Sequence, residues 1–337
     1  MRNKGPHRRV AVYGMGGTIA MAGAGGVVPA LSAAQLLDAV PGLADTGIDI
    51  EVNDFRRLPG ASLSFADLTA LAADIDKRLE SGEADGIVVT QGTDTIEETS
   101  YLLDLFHASP QPVVVTGAMR NPTLAGADGP ANLLAAVQTA AHPAARDHGV
   151  LVVLADEIHA ARYVRKTHAT SGFTFQSPNT GPLGHLVEGI PRFLARLPAA
   201  RSTLDLGAVS THPRVALVTV TFGDDGALLH DVAEWADGLV VAAFGVGHVP
   251  EGLVPILSEI AERIPVVLAS RTGSGPGLSS TYGFPGSESD LLRRRLIRAG
   301  FLDPLKSRIL LWSLLATGHD SESIAEAFST AGAYGQG

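Results

Sequence analysis

The chain has 337 residues, 45% of them hydrophobic and 18% charged, with a formal net charge of -10. That length accommodates roughly two domains of ordinary size, each able to bury a sizeable core. The negative balance, without a compensating basic face, argues against nucleic acid or an anionic membrane as a partner. The absence of cysteine excludes disulfides, thiolate metal sites and a cysteine nucleophile.

The basic residues Arg2, Lys4, Arg8 and Arg9 precede an apolar stretch, as in a secretory signal, but Gly14, Gly16 and Gly17 break the run such a signal needs. No apolar run reaches the length of a transmembrane helix, so a cytoplasmic protein is expected. The one other basic cluster, Arg293 to Arg295, reads as a solvated face.

In chain order, Arg9 to Tyr13 reads as a strand feeding the glycine cluster of VYGMGGTIAMAG, Val12 to Gly23. Ser32 to Leu37 carries a capping-box signature. Ile48 to Phe55 reads as a strand, and Phe65 to Leu79 as a helix with Ser64 as its N-cap. Asp85 to Thr90 reads as a buried strand, with a helix from Glu97 to Phe106. Pro112 to Thr116 and Gly149 to Leu154 read as further buried strands, separated by a helix from Ala131 to Ala141. Short apolar strands alternating with amphipathic helices predict a doubly wound, mostly parallel α/β sheet whose ligands sit beyond the strand C-termini. This first domain is placed at residues 1–192 and a linker at 193–213, the periodic pattern thinning from Pro191 to Pro213. A smaller α/β domain follows at 214–337, with strands from Arg214 to Phe222, Gly238 to Phe244 and Ile264 to Ser270. Its helices are placed at Leu228 to Trp235, Leu253 to Arg263 and Ser307 to Ala316.

The glycine loop is not a dinucleotide cradle. In G-x-G-x-x-G the third glycine packs the helix against the strand; here Gly14 and Gly16 fit, but Ile19 occupies the third position. The segment after it is loop-like, so no helix N-terminus meets a pyrophosphate. The loop instead presents one hydroxyl, Thr18. A second buried strand, in VVTQGTDTIEETSYLL, ends in Gln91-Gly92 and hands over to Thr93-Asp94-Thr95 at the same sheet edge. A Thr-Asp-Thr run can simply cap a helix. Beside Thr18, though, it places two hydroxyls and a carboxylate where this architecture binds ligands. A threonine hydroxyl is a poor nucleophile until its proton is removed. Asp94 is a candidate partner, and Lys166 in RYVRKTHATSGFTFQS returns to the same edge as a candidate proton acceptor.

MGGTIAM, GIVVTQGTDTIEETSYLLDL, PVVVTGAMRNP, DGPANLLAAV and DEIHAARYVRKTHATSGFTFQS together resemble the bacterial-type L-asparaginase/glutaminase family. FGVGHVP, LASRTGSGPG and TYGFPGSESDL resemble its C-terminal domain, and the likeness runs through residues 8–330 in the family's order. The resemblance implies hydrolysis of the side-chain amide of L-asparagine, with L-glutamine as the second substrate, through an acyl-enzyme and without a cofactor or metal. It puts Thr18 at the nucleophile, Thr93 and Asp94 at the second threonine and its aspartate, and Lys166 at the lysine of the relay. It implies substrate contacts at Gly17, Gly60, Ala61, Ser62, Gly92, Thr93, Asp94, Ala118 and His248. It also implies a homo-oligomer, a dimer or tetramer, with each site completed by a partner's C-terminal domain.

The chain departs from that pattern at defined places. The lid segment from Met21 to Gln35 lacks the tyrosine that orients the first threonine, and Tyr282 is the expected substitute. Gly60 stands where a serine usually grips the substrate carboxylate, with Ser62 as its neighbour. Gln91 stands for a histidine, and His248 for an asparagine. The lid, glycine-rich from Gly23 to Gly26, is expected to be mobile. Alternatives left open are a broad glutaminase-asparaginase, an ammonia-releasing subunit of a tRNA-linked amidotransferase and a catalytically silent amino-acid-binding relative.

Overall fold

Five short strands become parallel neighbours in one sheet: β1 (Arg9–Gly14), β4 (Asp49–Asp54), β5 (Gly86–Thr90), β6 (Val113–Thr116) and β7 (Val150–Leu154). Between β1 and β4 lie the short pair β2 (Met21–Ala22) and β3 (Val28–Pro29). The structure is a computed structural model, and it describes residues 8–17, 21–22, 28–29, 32–196 and 203–333. The chain divides into two units between Thr203 and Leu204. Residues of β5, β6 and β7 are buried along their whole length, which is why these strands read as unbroken Val/Ile/Leu runs.

Helices cover both faces. One face packs Val12, Val88, Val114 and Leu151 against Leu36 of α1 (Ala33–Asp38) and Leu133 and Ala136 of α4 (Gly129–Ala141). On the other, the Tyr13 hydroxyl donates to Asp74 of α2 (Phe65–Glu80) at 2.6 Å. Beside α2 runs α3 (Ile96–Phe106), where Asp104 accepts the Val150 N–H at 2.9 Å. Both anticipated caps form: Ser32 and Ser64 close capping boxes with Gln35 and Asp67, fixing where α1 and α2 begin.

The sheet extends beyond β7 by three antiparallel strands, β8 (Glu157–Ala160), β11 (Gly184–Val187) and β12 (Ile190–Phe193). Two two-residue turns make this possible. Ala155 and Asp156 have φ of 51° and 62°, and Glu188 and Gly189 have 52° and 72°. These are the doubly left-handed turns that match strand twist. The stretch read as a linker therefore opens inside a strand, since Pro191 to Phe193 belong to β12. Between β8 and β11 the chain forms a separate ribbon, β9 (Arg165–Lys166) paired with β10 (Phe175–Gln176).

The second unit has a four-stranded parallel sheet of β13 (Val215–Thr219), β14 (Gly238–Ala243), β15 (Val266–Ser270) and β16 (Ile297–Arg298), in that order. Leu239, Val241 and Leu268 pack against α5 (Val232–Trp235) and α6 (Val254–Arg263). The helices α7 (Glu288–Arg293), α8 (Pro304–Ala316) and α9 (Ser321–Ala331) complete it. The helix expected from Leu228 to Trp235 is broken into a one-turn 3-10 helix, Ala227–Leu229, and α5. Asp231 causes the break, because its φ of 61° cannot be part of a right-handed turn. No helix among the described residues is long and apolar enough to cross a membrane.

Candidate active site

In the order β6-β5-β1-β4 the chain adds β4 on one side of β1 and then β5 and β6 on the other, so the crevice beyond the C-termini of β1 and β5 is the sheet's switch point. Three glycines bring backbone to backbone there. Met15 extends the strand pairing by donating to Thr90 O at 2.9 Å. Gly17 has a φ of +87°, and a Cβ on it would lie 2.0 Å from Gly92 N, so only glycine fits. Gly60 opens a one-turn 3-10 helix, Gly60–Ser62, whose backbone rests on Gly92; a Cβ on Gly60 would sit 3.0 Å from Gly92 O. Gly60 is buried, while Ala61 and Ser62 are exposed. Ala118 is buried next to Gly117, where an added Cβ would meet Thr93 Cγ2 at 3.3 Å.

Thr93–Thr95 forms a one-turn 3-10 helix ahead of α3, which buries Thr93 and leaves the Asp94 side chain 69% exposed. Lys166 on β9 reaches this turn. Its Nζ lies 3.0 Å from Thr93 Oγ1 and 2.9 Å from Asp94 Oδ1, and its backbone N–H donates to Glu97 of α3 at 3.2 Å. The β9–β10 ribbon thereby delivers the lysine from 72 residues downstream of Asp94. As an ammonium, Lys166 donates to Thr93 Oγ1, which leaves the threonine's own hydrogen free to donate to a ligand. Thr18, next to Gly17 in the chain, and residues 23–27, 30 and 31 of the lid segment lie outside the described residues.

In the second unit, His248 and Tyr282 are brought together. Their rings meet edge to face with centroids 4.9 Å apart, and Phe284 approaches the same imidazole at 5.0 Å. A buried carboxylate organises this group. Glu288 Oε2 lies 3.2 Å from His248 Nε2, and Oε1 accepts the Thr281 and Tyr282 N–H groups, each at 2.8 Å. Burial pushes the Glu288 carboxyl up, but the N–H donors of Tyr282 and Thr281, aided by His248, outweigh it and hold it below the usual range. Tyr282 itself is 44% exposed, so it is not a core residue.

Several supports of these side chains leave no mark in the sequence pattern. Glu97 anchors the backbone of Lys166. Asp128 accepts the Met119 and Arg120 N–H groups at 3.0 and 2.8 Å and so shapes the loop after Ala118. Glu288 lies within TYGFPGSESDL, but nothing in its spacing marks a buried carboxylate.

Two family models match most of the chain: "Asparaginase, N-terminal" over residues 9–198 and "Glutaminase/Asparaginase C-terminal domain" over residues 214–328. The chain belongs to the asparaginase family. A probable L-asparaginase of Deinococcus radiodurans is 36% identical over 328 residues, covering 95% of this chain and 97% of that one. L-asparaginase 2 of Escherichia coli is 32% identical, covering 95% and 92%. A glutaminase-asparaginase of Pseudomonas fluorescens is 32% identical, covering 95% and 89%. The crystal structure of a probable cytoplasmic L-asparaginase from Campylobacter jejuni superposes with a TM-score of 0.86 at 32% identity, covering 96% of this chain and 99% of that one. The two-unit α/β architecture is thus that of an asparaginase.

Proposed function

We propose that this protein is an L-asparaginase that hydrolyses the side-chain amide of L-asparagine to L-aspartate and ammonia, with Thr18 as nucleophile. The observation that carries the reading is Lys166 Nζ held between Thr93 Oγ1 and Asp94 Oδ1 at the sheet's switch point. Thr18 Oγ attacks the amide carbon, and its proton leaves with the amide nitrogen as ammonia. A water then attacks the aspartyl ester, and its proton returns to Thr18. The Thr93 hydroxyl, its oxygen already occupied by Lys166, donates to the oxyanion or orients the water. Asp94, exposed and acidic, holds the α-ammonium, while Gly60, Ala61 and Ser62 face the α-carboxylate and Gly17, Gly92 and Ala118 wall the site. His248 and Tyr282 serve a site from the smaller unit, within a cytoplasmic homo-oligomer. The test is ammonia release from free L-asparagine with no partner protein present. Thr18→Ala should fold normally and lose nearly all turnover; a folded variant with wild-type kcat would remove Thr18 from this role.

L-Glutamine is the second substrate on this reading, as the glutaminase-asparaginase relative suggests. The two amides differ by one methylene, which a pocket resolves by about 1–3 kcal/mol. The ratio of kcat/KM for the two decides which is preferred.

A further inference from the structure

Two side chains outside the proposed hydrolysis tie its two ends together. Gln91 comes directly after β5 and is fully buried, with Nε2 3.3 Å from Gly92 O and 3.3 Å from Thr95 Oγ1. Thr95 Oγ1 in turn donates to Gly60 O at 3.1 Å. A hydroxyl has one hydrogen, so once it is directed at Gly60 O the oxygen can only accept, and the Gln91 amide fills that place. The chain runs one way, from amide to hydroxyl to carbonyl. Gly60 O also accepts the Leu63 N–H at 3.2 Å, which engages a second direction on that oxygen.

The Gly60 carbonyl shares its peptide plane with the Ala61 N–H. In a trans peptide these two groups point in opposite directions across one rigid plane. Holding the carbonyl toward Thr95 therefore aims the Ala61 N–H away from it. Among the described residues that N–H has no protein acceptor, and Ala61 is exposed. The missing serine is part of the same packing, since a Cβ at Gly60 would press on Thr95 Oγ1 at 3.2 Å.

We propose that Gln91 and Thr95 are positioning residues that aim the Ala61 N–H at the substrate's α-carboxylate. Because Thr95 shares one turn with Thr93 and Asp94, they also fix how far that carboxylate lies from the reacting amide. This rests on the reading that the Gly60–Ser62 loop binds the carboxylate. It gives the pair a role in distinguishing asparagine from the longer glutamine. Among the described residues Gln91 Oε1 is buried without a partner, so only its amide donor takes part in these bonds.

Steady-state kinetics on the full-length protein tests it. Thr95→Val should raise KM for L-asparagine about 10- to 100-fold with kcat within about threefold, the pattern of lost uniform binding. Thr95→Ser, which restores the hydroxyl, should return KM to within about threefold of wild type. Gln91→Met should raise KM by about 3- to 10-fold with Tm nearly unchanged, since it removes the orphaned acceptor along with the donor. Both Thr95→Val and Gln91→Met should narrow the asparagine-to-glutamine ratio of kcat/KM. Inhibition by 3-aminopropanamide, which is asparagine without its α-carboxylate, should be the same in wild type and Thr95→Val. An unchanged KM, a fall in kcat alone, no rescue by Thr95→Ser, or a parallel loss of 3-aminopropanamide inhibition each overturns the positioning role. A wild-type protein that releases no ammonia from asparagine overturns the enzymatic reading instead.

Discussion

Lys166 combines two positions that rarely coincide: its side chain is only 15% exposed, yet the carboxylate it contacts is 69% exposed. Removing the ammonium therefore strands no buried charge, because water solvates Asp94 in its place. Lys166→Met keeps the aliphatic stem and its packing, and the partner carboxylate stays solvated, so stability should change by only about 1 kcal/mol. If the lysine moves or steers a proton through Thr93, kcat should nevertheless fall by at least about a hundredfold. Thermal melts and initial rates on one preparation check both halves, and a lowered Tm with unchanged kcat would leave Lys166 structural. Tyr282 admits a similar separation. Its ring packs edge-on against His248, and that contact survives in Tyr282→Phe, which loses one oxygen. An unchanged Tm with reduced kcat is expected if the hydroxyl serves a site, and unchanged kinetics would dismiss it.

At the scale of elements, the turn between β11 and β12 holds a non-glycine residue, Glu188, at a φ of 52°. Asparagine tolerates that conformation better than glutamate, and Asn-Gly is the favoured pair for this turn. Glu188→Asn should raise stability by about 0.5–1 kcal/mol, read from denaturant midpoints, with no effect on activity. The same turn explains why the far side of the sheet is not legible in the sequence. Ala155-Asp156 and Glu188-Gly189 carry weak hairpin signals, so β8, β11 and β12 pass as loop, whereas the Val/Ile runs of β5, β6 and β7 announce buried strands. Caps such as Ser64 with Asp67 are local, and they too can be read directly. Thr93 and Asp94 are legible because they follow a buried strand, whereas Lys166 is found through its motif, the ribbon that carries it giving no strand signal. The roles of Gln91 and Thr95 are not legible: their partners are Gly92 O and Gly60 O, and no side-chain pattern encodes a bond to a backbone carbonyl.

Over the whole molecule, acid acts on groups that pull in opposite directions. Several carboxyls titrate low in the folded state: Asp67 through Ser64 and Arg56, Asp290 through the Gly286 N–H, and Glu288 through the N–H donors that outweigh its burial. Their stabilisation is complete above their unfolded pKa and is lost as pH falls through the folded one. His159 acts with the same sign, because burial holds its imidazole below 6.5 despite the opposing pull of Glu157. Asp76 opposes them. Burial beside Leu103 and Phe106 of α3, reinforced by Glu80, raises its carboxyl from 3.8 to about 6. A raised acid is destabilising when ionised, so its penalty is full above about pH 6 and disappears below about pH 4. Asp76→Asn keeps the shape and removes the charge. The variant should be more stable than wild type by about 1–2 kcal/mol at pH 7.5, after allowance for partial exposure. That advantage should shrink steadily between about pH 6 and pH 4, where wild-type Asp76 becomes protonated and the two proteins converge. Paired melting curves across that range decide it. A gap that stays constant with pH would mean that packing rather than charge separates the two, and that Asp76 is not the group that offsets the molecule's loss of stability in acid.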